Sequence, residues 1–324
     1  METLRNENVS FIISKFMKFF DKYYSVIIAI ALFIVVIPIY FSHAEPGAKI
    51  LASIYWFAAI TALPDVRKDV KWIPFIILFI PFVIFLFYIN THGYEIWGKI
   101  LKWQIARGIV IDLNPIFSKI PFNDASFARI YKNETLTWFM RLVYNNGFVM
   151  TAIIPIFRSI ILKDFKKMCR YLYSAHVFQI FLISPFYLMF HLQEVWYVLG
   201  QPDGLDRHFT KLQAAGWTLN CFPSMHTSIS FAMFLLVLRE KDKIFKWVWG
   251  FFCLSVIYST MYLEIHWIID VISGMLFAYI TVKLVDFLFA KLEVPLKNRF
   301  SKFYYRNSID NSVTITGKDT FVNI

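Results

Sequence analysis

The sequence predicts an all-α fold of the membrane kind, a polytopic helix bundle of about eight transmembrane spans forming one integral membrane domain over residues 1–324. Three observations predict it. Of the 324 residues, 58% are hydrophobic and only 17% charged, whereas a soluble domain carries about 25% charged residues. The apolar residues gather into runs long enough, or nearly so, to cross a hydrocarbon layer, which takes about 20 helical residues. The net charge of +11 sits in short Lys/Arg clusters between those runs, as the positive-inside rule describes. That distribution speaks for orientation in a bilayer, with anionic lipid contact as a lesser role, and against nucleic acid as a partner.

Each element follows from its own pattern. Residues 1–22 are polar and basic, and 11–20 read as an amphipathic helix on the cytoplasmic membrane surface. The run 23–41 is long for the apolar part of a signal peptide and no small-residue cleavage site follows it, so it is expected to be a retained span. Span 48–63 is short and ends at Pro64, ahead of a net-basic turn. Span 72–89 contains Pro74 and Pro81, which are expected to bend it. Residues 90–135 lack a sufficient run; Glu95, Lys99, Lys102, Arg107 and Asp112 alternate there with Trp97, Trp103 and isoleucines. This stretch is expected to lie flat in the extracytoplasmic interface, or to fold as a loop capping the bundle.

The catalytic helical core is expected over 136–290, with spans at 136–162, 171–190, 225–238, 247–263 and 265–290. Arg158 is expected to snorkel beside Lys163, Lys166, Lys167 and Arg170. Arg141, Asn145 and Asn146 interrupt a span, where polar groups face a cavity or the bundle interior. His176 reads as structural. Residues 291–324 form a polar, basic cytoplasmic tail whose end, 307–324, is expected to be disordered or loosely packed. The three cysteines, Cys169, Cys221 and Cys253, show no CxxC spacing, so neither a disulfide framework nor a metal site is suggested, and no cofactor is expected.

The chemistry concentrates in two short stretches. In 221–228, Cys-Phe-Pro-Ser-Met-His-Thr-Ser, Ser224 precedes a long apolar run and reads as a helix N-cap with His226 in the first turn, beside backbone N–H groups able to receive an anion. In 259–274, His266 and Asp270 stand four apart on a helical pattern, so the carboxylate can hold one ring nitrogen and leave the other to attack. Two histidines and an aspartate in this arrangement fit phosphoryl transfer through a covalent intermediate. His266 is then the nucleophile, Asp270 its orienter, and His226 the general acid for the leaving oxygen.

At these residues the chain resembles the type 2 phosphatidic acid phosphatase superfamily, whose later motifs read Pro-Ser-x-His and Ser-Arg-(five residues)-His-(three residues)-Asp. Pro223, Ser224, His226, Ser259, His266 and Asp270 match, and the likeness covers about 50 residues from Cys221 to Gly274. The wording Phe-Pro-Ser-Met-His at 222–226 is most similar to the inositol phosphorylceramide synthase branch. The resemblance implies a phosphatase-like helical core, with Ser224 and Ser259 near the phosphate. Thr260 stands where the phosphatases carry Arg, and their first motif, ending in Arg-Pro, is absent. Arg207 and Lys211, in the polar loop ahead of the first motif, and Arg141 are the candidate replacements as phosphate clamp.

Eight spans from a cytoplasmic N-terminus return the C-terminus to the cytoplasm. They also put the Lys/Arg clusters at 64–71, 163–170, 239–246 and beyond 291 on that side. His226 then opens the sixth span and His266 the eighth, both at the extracytoplasmic face, where a lipid phosphate lies. The expected activity is a lipid phosphotransferase moving an inositol phosphate-like headgroup from a membrane phospholipid to a lipid hydroxyl acceptor. The alternative is a lipid phosphate phosphatase with water as acceptor, and a remote one is a non-enzymatic transporter. A phosphate monoester carries about −1.5 to −2 at neutral pH, so a site lacking the family's arginines is better suited to a singly charged diester. The expected location is a bacterial inner membrane, with Golgi or endoplasmic reticulum as the alternative.

Overall fold

The computed structural model describes residues 2–43, 45–67, 70–106, 110–219 and 221–316, and nearly all of its regular structure is helix. In chain order come α1 (Glu2–Phe41), α2 (Pro46–Ala62), α3 (Trp72–Ala106), α4 (Glu134–Ile161) and α5 (Phe165–Leu172). A π-helical turn, Tyr173–Val177, which contains His176, carries α5 into α6 (Phe178–Met189); α7 (Lys211–Trp217), α8 (Met225–Val237), α9 (Lys243–Tyr262) and α10 (Ile268–Thr316) follow. Contacts divide the chain into two units, Met1–Thr281 and Val282–Ile324. Every residue of the candidate site belongs to the first.

Among the described residues, five helical stretches are long and apolar enough to cross a membrane: Phe11–Phe41, Pro46–Asp65, Phe165–Met189, Lys243–Tyr262 and Ile268–Leu292. Phe75–Phe85 and Met225–Val237 are shorter apolar helices. The remaining expected span coincides with α4, whose Arg141, Asn145, Asn146 and Arg158 lower its hydropathy. Ile34, Phe251 and Leu276 are all more than half exposed, an outward apolar surface that suits lipid and would be costly in water.

α8 packs against α9, and both pack on α4; α2 lies on α4, and α1 on α2. The α4–α9 approach is close enough that a Cβ added at Gly147 would stand 2.5 Å from a Val256 methyl. Asn133, Asp164, Ser224 and Asp242 cap α4, α5, α8 and α9, each accepting from the backbone N–H three residues on. These bonds satisfy donors that a helix start leaves open.

α3 continues past the expected span to Ala106, with no proline between Asn90 and Ala106; Arg107 lies outside the described residues. One expectation is corrected. Arg158 does not snorkel. It is 1% exposed, donates to Glu240 at 2.6 Å and to the Thr61 carbonyl at 2.8 Å, and lies over the Phe245 ring at 4.6 Å. The tail is helical to Thr316, and 317–324 lie outside the described residues.

The stretch after α3 folds over one end of the bundle. Ile111–Asp112 pairs in parallel with Phe190–His191, joining this stretch to the loop that follows α6. Phe117, Leu192, Val195, Cys221 and Trp267 form the apolar core beneath. That core anchors both chemistry-bearing stretches.

Candidate active site

The first stretch folds as its sequence suggests. Ser224 ends a short extended segment that follows a cis Phe222–Pro223 bond, and α8 begins at Met225, so His226 occupies the first turn. The Ser224 hydroxyl accepts from Thr227 N–H at 3.3 Å and lies 2.9 Å from Thr227 Oγ1. The His226 ring stacks on Tyr144 of α4, with centroids 4.4 Å apart and planes 17° from parallel, and meets Phe148 at 5.0 Å. A protonated imidazole in that position gains from the electron-rich face of Tyr144.

The second stretch differs in detail from expectation. His266 does not ride on a helix with Asp270; it lies in the connection after α9, and α10 begins at Ile268. Asp270 folds back from the first turn of α10, its Oδ2 lying 3.2 Å from His266 Nδ1 and accepting from Trp267 N–H at 3.2 Å. One carboxylate oxygen therefore orients the imidazole and satisfies a helix-start donor. Asn123 supplies the rest of that cap, its carbonyl accepting from Ile268 N–H at 2.9 Å and its side-chain oxygen from Ile269 N–H at 3.1 Å. Trp267 Nε1 donates to the Gln193 carbonyl at 2.9 Å, fixing the connection from the other side.

The two stretches touch through backbone. Ser224 N–H donates to the Asp270 carbonyl at 3.3 Å. Gly274, one turn on, permits this approach: an added Cβ would stand 2.6 Å from the Ser224 carbonyl oxygen and 3.2 Å from Thr227 Cβ. The two imidazoles are thereby held with ring centroids 6.2 Å apart and planes inclined at 52°.

Between them opens a cavity of about 270 Å³ lined by His226, His266, Tyr144, Tyr187, Glu194 and Arg207 among others. Arg207 Nε donates to Asp203 at 2.7 Å, Nη1 to Glu194 at 3.1 Å, and Nη2 to both Glu194 and, at 3.1 Å, Asp203. Four of the five N–H groups of a guanidinium are so engaged, which leaves one on Nη1. Burial works against the Arg207 charge, but the hydrogen bonds and charges of Glu194 and Asp203 outweigh it and raise its pKa. Burial alone would raise Asp203, yet hydrogen bonds from Arg207 and from Leu205 N–H hold it below the usual carboxylate range. The cluster is a fixed cation with its charge more than matched.

The other residues singled out from the sequence are directed elsewhere. Arg141 Nε donates to the Gly204 carbonyl at 2.8 Å and Nη1 lies 3.6 Å from Asp206, so it grips the loop that carries Arg207. Ser259 is buried and donates to the Val256 carbonyl at 2.7 Å. Lys211 is exposed at the start of α7. The sequence did not point to Glu194, Asp203, Tyr144 or Asn123. Their only signal is polarity or aromaticity; Tyr144, Asn123 and Glu194 lie far along the chain from what they meet, while Asp203 stands four residues before Arg207 in an irregular loop.

Cys221 Sγ, a ring nitrogen of His266 and an Asp270 carboxylate oxygen lie within 4.8 Å of one another, a donor set that could hold a metal ion. Burial, with the Asp270 and Glu194 charges behind it, pushes the Cys221 thiol well above its ordinary value.

An uncharacterized protein of Methanocaldococcus jannaschii is 26% identical over 212 residues, which cover 63% of this chain and 84% of that protein. No solved structure matches. Residues 174–291, the segment that holds His226, His266 and Asp270, match the PAP2 superfamily, and the match supports a lipid phosphatase or phosphotransferase type of activity on a membrane lipid.

Proposed function

We propose that the chain is a lipid phosphotransferase that passes a headgroup phosphate from a phospholipid to a lipid hydroxyl by way of a phosphohistidine at His266. The observation that carries this reading is the facing pair: two imidazoles 6.2 Å apart across one cavity, one of them held at Nδ1 by Asp270. Reacting atoms in a poised complex stand about 3–3.5 Å apart, so one phosphoryl group fits between the rings.

In the first step His266 Nε2 attacks phosphorus and the bond to the diacylglycerol oxygen breaks. Protonated His226 delivers its proton to that oxygen, and the headgroup phosphate remains on Nε2. The positive charge that develops on His266 is balanced through Nδ1–H by Asp270. In the second step an acceptor hydroxyl gives its proton to neutral His226 and attacks phosphorus, which releases His266. Arg207 offers its remaining Nη1 hydrogen to a phosphate oxygen.

Charge supports a diester donor. Arg207 already faces Glu194 and Asp203, so a doubly charged monoester would meet little free positive charge, whereas a diester brings one negative charge. An inositol-type headgroup and a ceramide or diacylglycerol acceptor are the specific reading, extending the likeness to the inositol phosphorylceramide synthases. With both termini cytoplasmic, the site opens at the extracytoplasmic face at headgroup depth.

The test is a lipid-product assay on purified protein in liposomes. One arm receives labelled phosphatidylinositol with ceramide or diacylglycerol, the other phosphatidic acid in water, and His266→Ala is the control. Headgroup transfer lost in the control is the expected result. Inorganic phosphate released from phosphatidic acid, with no transfer, would overturn the phosphotransferase reading in favour of a phosphatase.

A further inference from the structure

His266 lies between two helix ends, and one distant turn holds both. α9 closes in a manner that usually calls for glycine. Glu264 N–H donates to the Met261 carbonyl at 3.2 Å and Ile265 N–H to the Thr260 carbonyl at 3.0 Å, with Glu264 left-handed at φ 59°. The side chain of this glutamate has a use that glycine could not supply. Its buried carboxylate lies 3.4 Å from Arg129 Nε and 3.7 Å from Lys132 Nζ. Arg129 also donates to the Met261 carbonyl at 3.5 Å, and to the Asp124 carbonyl and carboxylate at 2.9 Å each.

The other end starts without a side-chain cap of its own. Trp267 precedes Ile268, the first residue of α10, and an indole can only donate. The open N–H groups of a helix start need acceptors from elsewhere, and Asn123 provides two of them, its carbonyl for Ile268 and its side-chain oxygen for Ile269. Asn123 is buried, and its Nδ2 donates to the Phe117 carbonyl at 3.1 Å, which fixes the orientation of the amide. Phe122 and Ala125 on either side are left-handed, at φ 61° and 56°, a conformation that residues other than glycine hold only where the surroundings enforce it. The Asp124–Arg129 pair braces that turn. With Ile268 and Ile269 served by Asn123, Asp270 is left to hold His266 and Trp267 N–H through Oδ2; its Oδ1 is buried with no hydrogen-bond partner among the described residues.

We propose that the turn of residues 123–129 is a positioning clamp for the reaction, Asn123 and Arg129 holding the two ends of the connection that carries His266. Neither is among the residues lining the histidine cavity, so each acts through the imidazole and not on the phosphate. The role rests on the phosphohistidine reading above, and transfer and hydrolysis depend on it alike because both start from His266. Without Asn123, Ile269 N–H loses its acceptor and competes with His266 for the Asp270 carboxylate, since a helix start attracts acids. Without Arg129, Glu264 loses the partner that ties the end of α9 to the turn.

The test compares the full-length wild type with Asn123→Ala, Asn123→Asp, Arg129→Gln and Glu264→Gly in liposomes. kcat and KM are measured in both arms of the lipid-product assay, folding is followed by melting temperature, and the state of His266 is read by NMR of isotope-labelled histidines, assigned with His266→Ala. We expect Asn123→Ala and Arg129→Gln to lower kcat about tenfold or more with little change in KM. Both should also move the His266 Nδ1 signal away from its carboxylate-bonded position. Asn123→Asp, which keeps an acceptor for Ile269 N–H, should recover part of each effect. Glu264→Gly suits the left-handed backbone, so it should stay folded near the wild-type melting temperature and still lose kcat. Should Asn123→Ala not fold, Asn123→Asp and Glu264→Gly carry the same test. A wild type active in neither arm would overturn the phosphohistidine reading, and the His266 signal would still decide whether the turn positions the imidazole. An unmoved His266 signal, with kcat reduced only in proportion to the folded protein, would overturn the clamp.

Discussion

Two arginines divide the work of this molecule, Arg158 and Arg207. Each is held by carboxylates and each lies against aromatic rings, yet their settings differ. Arg158 is 1% exposed and joins α2, α4, the turn after α8 and α9 through Thr61, Asp65, Glu240 and Phe245. Arg207 is 25% exposed, sits on a loop, and turns one edge of its bonded cluster into the histidine cavity. The first spends its charge on holding helices together; the second is held in place by others. Ion pairing alone thus does not mark a functional arginine, and what distinguishes the two is whether a cavity reaches the cation.

The comparison can be broken at either end, and the largest effect is expected at Arg158. Arg158→Ala leaves Glu240 buried with Lys167 and Tyr171 only, and breaking a buried pair on one side costs about 3–5 kcal/mol. The expected outcome is loss of folded protein on size exclusion, or a large drop in melting temperature. Arg158→Met with Glu240→Leu should recover much of the loss, because the stranded charge is gone.

Arg207→Ala should do the reverse. A hundredfold fall in kcat/KM, about 2.7 kcal/mol of transition-state stabilisation, is expected in the lipid-product assay, with a smaller fall in stability than Arg158→Ala. Arg207→Lys should not rescue activity, since an ammonium cannot bridge Glu194 and Asp203 with the planar fork.

Gly274→Ala tests whether the two histidine stretches must touch. The added Cβ meets the Ser224 carbonyl, and such overpacking costs about 1–3 kcal/mol. Activity should fall further than stability, because the separation of the imidazoles changes directly.

The smallest effect concerns pH. The folded-state pKa of Asp203 is held down, so its contribution to stability is present above its unfolded value, about 3.9, and is lost as pH falls through the lowered folded value. Acid unfolding of the wild type should therefore carry a component below about pH 4 that Asp203→Asn removes.

Much of the site was legible because its signals are local. Ser224 as cap, His226 in the first turn and the spacing of His266 and Asp270 all follow from a few adjacent residues. The fold then used that spacing differently from a simple helix face: Asp270 reaches back across the start of α10 to a histidine outside the helix. What stayed hidden is long-range or set by the path of a loop. Asn123 caps α10 from the stretch after α3, and Glu194 and Asp203 fix Arg207 through loop geometry that no periodicity encodes. Arg158 misled because a basic residue near a run of lysines at the end of a span is usually solvated. Its partners Thr61, Asp65 and Glu240 come from distant segments. The α3 helix runs on past its apolar span because hydropathy marks where a helix leaves an apolar layer, and the helix itself continues.

The most direct measurement is to trap the intermediate. Purified protein is mixed with a phospholipid donor labelled at its phosphate, with no acceptor added, then quenched in alkali and digested. The account predicts an acid-labile, alkali-stable label on the peptide containing His266, absent in His266→Ala and discharged by adding the lipid acceptor. Headgroup transfer that persists in His266→Ala, or turnover with no label at His266, would contradict it.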